Sequence, residues 1–366
     1  MKKYYLIAGE ASGDLHGGNL IRAMKREEPN IDFRCWGGDG MQAAGGVLVK
    51  HIRELAYMGF WEVVKNIRTI LGNIQYCKQD ILDYQPDALI LIDYPGFNLK
   101  IASWAKQQGI RVIYYISPQI WAWKEKRIHK IKQSVDQMFV ILPFEKAYYK
   151  KHNFEVSYVG HPLLDVTTSF RPTPDFHTEY KLSKRPIIAL LPGSRKQEVE
   201  RMLTTMIAVR NDFPDYQFVI AGAPSLPQSY YRQIMGAADL PVIPNDTYSL
   251  LSHASAALVA SGTATLETAL FKVPQIVCYK GSFLTYIIAK TFIKIKYISL
   301  VNLILDKALV TELIQRECTP ANIRTTLSEL LKPERSDAMR KEYENLIRLL
   351  GNKGAAARVA AQILKK

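Results

Sequence analysis

Cysteine is scarce in this chain: Cys35, Cys77, Cys278 and Cys318 are the only four in 366 residues, and no two form a CxxC pair. That spacing excludes a zinc site of the usual kind and argues for a reducing compartment. No apolar run approaches the length of about 20 residues that a membrane-spanning helix needs. The first residues hold two lysines and a short apolar run, but Gly9 and Glu10 cut it too early for a signal peptide, so a cytoplasmic location is expected. There is no fixed-period repeat, no low-complexity tract and no GxGxxG fingerprint for a dinucleotide. A helix-turn-helix, an RNA-recognition signature and a long basic cluster interleaved with aromatics are also missing, which argues against a nucleic-acid partner. Acidic residues are few relative to basic ones, 34 against 48, for a net charge of +14. Some partner is therefore anionic: a phosphorylated metabolite or an acidic membrane surface fits best.

What is present is an α/β rhythm. At this length the chain can bury two sizeable cores. Apolar runs at 4–9, 32–38, 88–93, 111–117 and 137–142 read as strands, separated by helical stretches such as 59–83 and 99–108. Residues 160–186 hold Pro162, Pro172, Pro174 and Pro186 among polar residues and read as a linker. The strand pattern restarts at 187–191, 217–222, 242–244, 256–260 and 275–279, and helical segments close the chain. Two parallel, helix-covered sheets are expected, with domains at 1–165 and 186–335 and C-terminal helices over 336–366 that pack back on the first domain or exchange in a dimer.

Ligands of such sheets collect at the carboxyl ends of strands. The run 187–200, IIALLPGSRKQEVE, leads a strand through Gly193 and Ser194 into a helix, with Ser194 placed to cap it and Arg195 offering a phosphate fork. The stretch 260–267, ASGTATLE, repeats the arrangement with Ser261, Gly262, Thr263 and Glu267. Two anion-suited turns in one domain favour a diphosphate. Asp93 ends the run ALILID and reads either as a general base or as a helix cap. Gln119, Trp121 and Trp123 follow another strand and read either as a wall for a sugar or acyl chain or as core. His16 and His161 read as structural.

Taken together the motifs resemble one family. GEASGDLHG at 9–17, IDYPGFN at 92–98, SPQIWAWK at 117–124, LPFEKAYY at 142–149, VGHPLLD at 159–165, LPGSRKQEV at 191–199 and SGTATLE at 261–267 are similar to lipid-A-disaccharide synthase, the family 19 glycosyltransferase of Gram-negative bacteria. The resemblance implies a GT-B fold, two Rossmann-like domains facing across a cleft, with no cofactor and no metal. It implies transfer from UDP-2,3-diacylglucosamine to 2,3-diacylglucosamine 1-phosphate (lipid X) with inversion at the anomeric carbon. It implies a UDP site of Gly193, Ser194, Arg195, Ser261, Gly262, Thr263, Glu267, Asn302, Glu312 and Gln315. The acceptor falls to Ser12, Asp14 and Gln119, with Asp93 as base, and a homodimer is implied. Two departures stand out: Gly96 where many members carry a second Asp, and Thr311 where a Pro often precedes the Glu, a change expected to touch only a helix start. Another UDP-sugar enzyme of the same fold, an epimerase or a murein-precursor transferase, is the alternative.

Both substrates would carry acyl chains, so the protein is expected to dock on the inner face of the inner membrane without crossing it. Met58, Trp61 and Val64 fall outside the core stripe of their helix, with Lys65 and Arg68 beside them, a pattern suited to an anionic lipid surface. A second candidate, 281–305, sets Lys290, Lys294 and Lys296 in an aromatic, aliphatic run.

Overall fold

Along β1 (Lys2–Ala8), successive side chains enter opposite cores: Tyr5 and Ile7 join one hydrophobic cluster, Tyr4, Leu6 and Ala8 another. The strands β4 (Ala88–Ile92) and β5 (Arg111–Tyr115) divide the same way. A parallel strand buried on both faces needs apolar residues at every position, which is why the sequence shows runs such as ALILI in place of alternation. The structure is a computed structural model describing residues 1–55, 67–281 and 296–365. It divides into two units, Met1–Pro162 with Asn352–Lys366, and Leu163–Gly351.

The first unit adds β2 (Ile31–Gly37), β3 (Val47–His51), β6 (Gln137–Val140) and β7 (Ser157–Tyr158), in the order β3-β2-β1-β4-β5-β6-β7. The second holds β8 (Ile187–Leu191), β9 (Gln217–Gly222), β10 (Val242–Pro244), β11 (Ala254–Ala260), β12 (Gln275–Tyr279) and β13 (Thr311–Ile314), ordered β10-β9-β8-β11-β12-β13. All the pairings are parallel. Chain order reverses between β1 and β4 in one sheet and between β8 and β11 in the other. Those are the points where a doubly wound sheet opens to a ligand.

Two boundaries differ from the sequence reading. Residues 163–186 are not a free linker: helices Leu163–Ser169 and Phe176–Glu179 belong to the second unit, and Phe176, 1% exposed, sits in its core. The C-terminal helices also part company. Helix Pro333–Leu349 stays in the second unit, while Ala355–Leu364 packs on helix Ala11–Glu27 of the first and buries Val359, Ala360 and Ile363 there. The Arg358 guanidinium fastens that return, donating to the carbonyls of Val159 (2.8 Å), Asn352 and Lys353.

Thr311 opens strand β13, so no helix start lies there to be affected. Met58, Trp61, Val64 and Lys65 lie outside the described residues, as does most of 281–305. Arg68 is exposed on helix Ile67–Tyr84. Among the described residues no helix is long and apolar enough to cross a membrane.

Candidate active site

In the second unit Leu191 registers with Val259, so Gly193 and Ser261 each lie two residues past a strand pair that flanks the reversal point. Gly193 has φ +115°, a conformation that favours glycine, and a Cβ there would come within 2.7 Å of Glu198. The turn is not capped by Ser194, as the sequence suggested. Helix Lys196–Ile207 is entered from Arg195, and the cap is Glu198, whose carboxylate accepts from the backbone N–H of Ser194 (3.1 Å) and of Arg195 (3.4 Å). The same carboxylate meets the Arg195 guanidinium at 3.3 Å. An internal anion thus occupies the donors expected to be open for a phosphate. A Glu three residues past the N-cap is the signal that could have revealed it.

At the neighbouring turn Gly262 and Thr263 are exposed, and nothing crowds Gly262. Ser261 donates to the Ile298 carbonyl at 3.3 Å. Behind it lies a network not foreseen from the sequence. Glu312 accepts from the amides of Ile298 (2.9 Å) and Ser299 (3.0 Å), the Ser299 hydroxyl (2.7 Å) and the Asn302 side chain (2.9 Å). The Asn302 carboxamide also donates to the Val310 carbonyl and accepts from the amides of Leu309 and Val310. The side chains of Asn302 and Glu312 are therefore spent within the protein, holding the segment that supports Ser261. Gln315 differs: its Nε2 is buried with no partner among the described residues. Glu267 accepts from the Tyr248 hydroxyl at 2.8 Å, and burial pushes its carboxyl up. Tyr248 comes from another helix, Thr247–His253, and no local pattern announces the pair.

In the first unit Ala8 registers with Ile92, so Gly9 and Asp93 follow the reversal point side by side. Asp93 and Tyr94 both have positive φ, +46° and +50°, a costly conformation for residues with side chains. Three hydrogen bonds hold it: the Asn98 side-chain Nδ2 (2.7 Å) and the Tyr114 hydroxyl (2.6 Å) donate to the Asp93 carbonyl, and the Asp93 backbone N–H donates to the Tyr115 carbonyl (3.2 Å). Helix Pro95–Gln107 is entered from Tyr94 without a side-chain cap, so the cap reading of Asp93 falls away. Burial, then the charge of Glu10, pushes the Asp93 carboxyl up to about 6 despite a hydrogen bond from the Tyr94 amide. Gly96 is exposed with nothing within 4 Å of a Cβ, so its lack of a side chain is not a packing demand.

Glu145 was missed as a site residue. Its buried carboxylate accepts from the Ser117 hydroxyl (2.5 Å), the Trp121 indole N–H (3.3 Å) and the amides of Ile141 (3.1 Å) and Leu142 (2.8 Å). It thereby fixes the loop after β5, where Gln119 is exposed. Ser12 is exposed in the first turn of helix Ala11–Glu27. Asp14 is not open to an acceptor: its carboxylate is buried and takes the amides of Gly38 (2.7 Å), Gly40 (2.8 Å) and Met41 (2.9 Å). His16 and His161 are buried and pushed down to about 4 and about 3, hence neutral.

A family model described as lipid-A-disaccharide synthetase matches residues 4–366. Among curated relatives, the lipid-A-disaccharide synthase of Syntrophus aciditrophicus is 42% identical, covering 99% of this chain and 97% of its own. That of Trichlorobacter lovleyi is 38% identical with the same coverage, and that of Coxiella burnetii 39%, covering 90% and 89%. Among solved structures, a UDP-GlcNAc 2-epimerase from Neisseria meningitidis bound to UDP-GlcNAc superposes with a TM-score of 0.71 at 13% identity, each chain fully covered. The glycotransferase of kitacinnamycin does so at 0.65 and 13%, over 100% of this chain and 98% of that one. Likeness at such identity shows the fold alone, α/β of the GT-B kind. By the family model and by these relatives, the chain belongs to the lipid-A-disaccharide synthase family of glycosyltransferases.

Proposed function

We propose that this enzyme transfers the 2,3-diacylglucosaminyl group of UDP-2,3-diacylglucosamine to the 6-hydroxyl of lipid X, giving the β-1,6 lipid A disaccharide and UDP. The observation that carries this reading is Asp93, a half-buried carboxylate at the tip of a reversal-point strand with its pKa pushed up to about 6. Such a group is ionised at neutral pH yet basic enough to take the hydroxyl proton as the new C–O bond forms. The bond from the anomeric carbon to UDP breaks as that bond forms on the opposite face, so one base suffices and the centre inverts.

The second unit takes UDP and the first the acceptor. The diphosphate displaces Glu198 from the amides of Ser194 and Arg195, and Arg195 turns its fork to the phosphates. The turn Ser261, Gly262 and Thr263 supplies further donors, and Glu267, oriented by Tyr248, accepts from the ribose. Gln315 offers its unpartnered Nε2 to the same ligand. Asn302 and Glu312 hold the turn in place. Once binding has freed and set these donors, they stabilise the charge on the departing phosphate with no further reorganisation at the moment of reaction. Ser12 and Gln119 remain as acceptor contacts, and Asp14 acts by shaping the wall behind them. The protein docks on the inner face of the inner membrane through Met58, Trp61, Val64, Lys65 and Arg68.

The test is UDP release from UDP-2,3-diacylglucosamine with and without lipid X. Release that requires lipid X supports the reading. Release without it, or interconversion of UDP-GlcNAc with its 2-epimer and no acceptor, sinks it.

A further inference from the structure

The loop after β5 carries a group of cations that the proposed chemistry does not use. Trp123 is 43% exposed, and both Lys124 and Arg127 lie over its ring, Nζ at 4.3 Å and the guanidinium carbon at 5.4 Å from the centroid. Cation–π attraction places these two charges instead of leaving them to wander in solvent. Lys124 holds a positive φ of +57°, and the Arg127 amide donates to its carbonyl at 2.9 Å, closing a tight turn. Lys130 follows on helix Arg127–Ser134, and Lys100 comes from helix Pro95–Gln107, which packs against it.

Among the described residues no acid pairs with these charges: none of Lys100, Lys124, Arg127 and Lys130 forms an ion pair, and the nearest acid in sequence, Glu125, is engaged with His152 at 3.3 Å. Burial pushes the ammonium groups of Lys124 and Lys130 down, and Arg127 lowers both further. Four like charges without an acidic partner, those of Lys124, Arg127 and Lys130 part-desolvated, are an arrangement that a bound anion would relieve. Their position narrows the choice of anion. The loop leaves the carboxyl end of β5, next to β4 and the Asp93 that follows it, and the Tyr114 hydroxyl that braces Asp93 feels the Arg127 charge.

We propose that Lys124 and Arg127, set over Trp123, together with Lys100 and Lys130 on the two adjoining helices, bind the phosphate monoester of the acceptor and so select a phosphorylated sugar over its dephosphorylated form. This rests on the acceptor reading above. A bilayer phospholipid carries related phosphate chemistry, but as a monoanionic diester. The place beside Asp93 and the number of cations favour the monoester.

The experiment compares wild type with Lys124→Ala/Arg127→Ala on lipid X and on 2,3-diacylglucosamine lacking the phosphate, in neutral detergent micelles. The selectivity for lipid X should fall by on the order of ten-fold for each cation removed, the worth of a charge-assisted bond. The change should appear in the KM for lipid X, with the KM for the UDP-sugar unaltered. Equal losses on both acceptors, or no loss, overturn the proposal. So does a variant whose defect is confined to binding phosphatidylglycerol vesicles, since the cations would then read the bilayer. Binding of glucosamine 1-phosphate against glucosamine, by calorimetry, judges the site without turnover: the wild type should prefer the phosphate, and the variant should not. If the wild type transfers to neither acceptor but keeps that preference, the function reading fails and the phosphate site stands. If the double variant does not fold, Lys124→Gln, at an exposed position, takes its place in each arm.

Discussion

Replacing Asp93 by Asn should do two opposite things, and the second is diagnostic. As base, the carboxylate contributes about 100-fold or more, so turnover should collapse. Stability should rise. The folded-state pKa is pushed up from 3.8 to about 6, so the native protein binds the proton more tightly than the unfolded chain does. The cost of burying the charge is absent below about pH 4, grows between about 4 and 6, and is fully present above, where native stability is lowest on this account. At about 1.4 kcal/mol per unit, that cost reaches about 3 kcal/mol as an upper figure. The amide has the same shape and no charge, so Asp93→Asn should gain up to about 3 kcal/mol at pH 8 and nothing near pH 4. Urea unfolding at the two pH values measures it, beside turnover with lipid X. The wild-type rate should itself fall about ten-fold per unit below pH 6. A variant that keeps its turnover, or is less stable than wild type at pH 8, would refute the assignment of Asp93 as a strained, desolvated base.

Arg195→Ala should weaken UDP by about 1.5–3 kcal/mol, read by titration calorimetry; a change below about 0.5 kcal/mol would remove Arg195 from the site. Glu198→Ala should tighten UDP by a few-fold, because its exposed carboxylate competes for the same amides and an exposed pair is worth less than about 1 kcal/mol. Weaker binding would mean that Glu198 organises the turn and is not a stand-in for the ligand. Asp14→Ala should destabilise the first unit by about 3 kcal/mol, since three backbone amides lose their acceptor, and should leave UDP affinity unaltered. A variant with a native melting profile would show that those amides find other partners.

Much of the architecture was legible because parallel strands buried on both faces write themselves as unbroken apolar runs: β8, β9, β10 and β12 have the expected limits. The strands not read, β3, β7 and β13, all lie at sheet edges. There one face stays open, as in the half-exposed run VLVKH, and the signal fades. The proline-rich stretch looked like a linker because its buried anchors, Leu163, Leu164 and Phe176, are scattered among prolines and polar residues without a strand or helix period. Turns at strand tips were readable from Gly, Ser and Arg. What fills their hydrogen bonds was not, because Tyr248 on Glu267, Glu145 on Ser117 and Trp121, and Asn302 on Glu312 are pairs between elements. The acceptor role that the resemblance implied for Asp14 meets the same obstacle: the amides of Gly38, Gly40 and Met41, far off in sequence, close on its carboxylate.

The central claim is a single in-line displacement in which Asp93 deprotonates the acceptor. Its most direct test is the anomeric configuration of the disaccharide formed from the α-linked UDP-sugar and lipid X, read from the proton coupling at the new glycosidic carbon by NMR. The account predicts a β-1,6 linkage from the first turnover onward, with no glycosyl-enzyme species trapped. An α linkage would mean retention and a different set of reacting groups, and would contradict it.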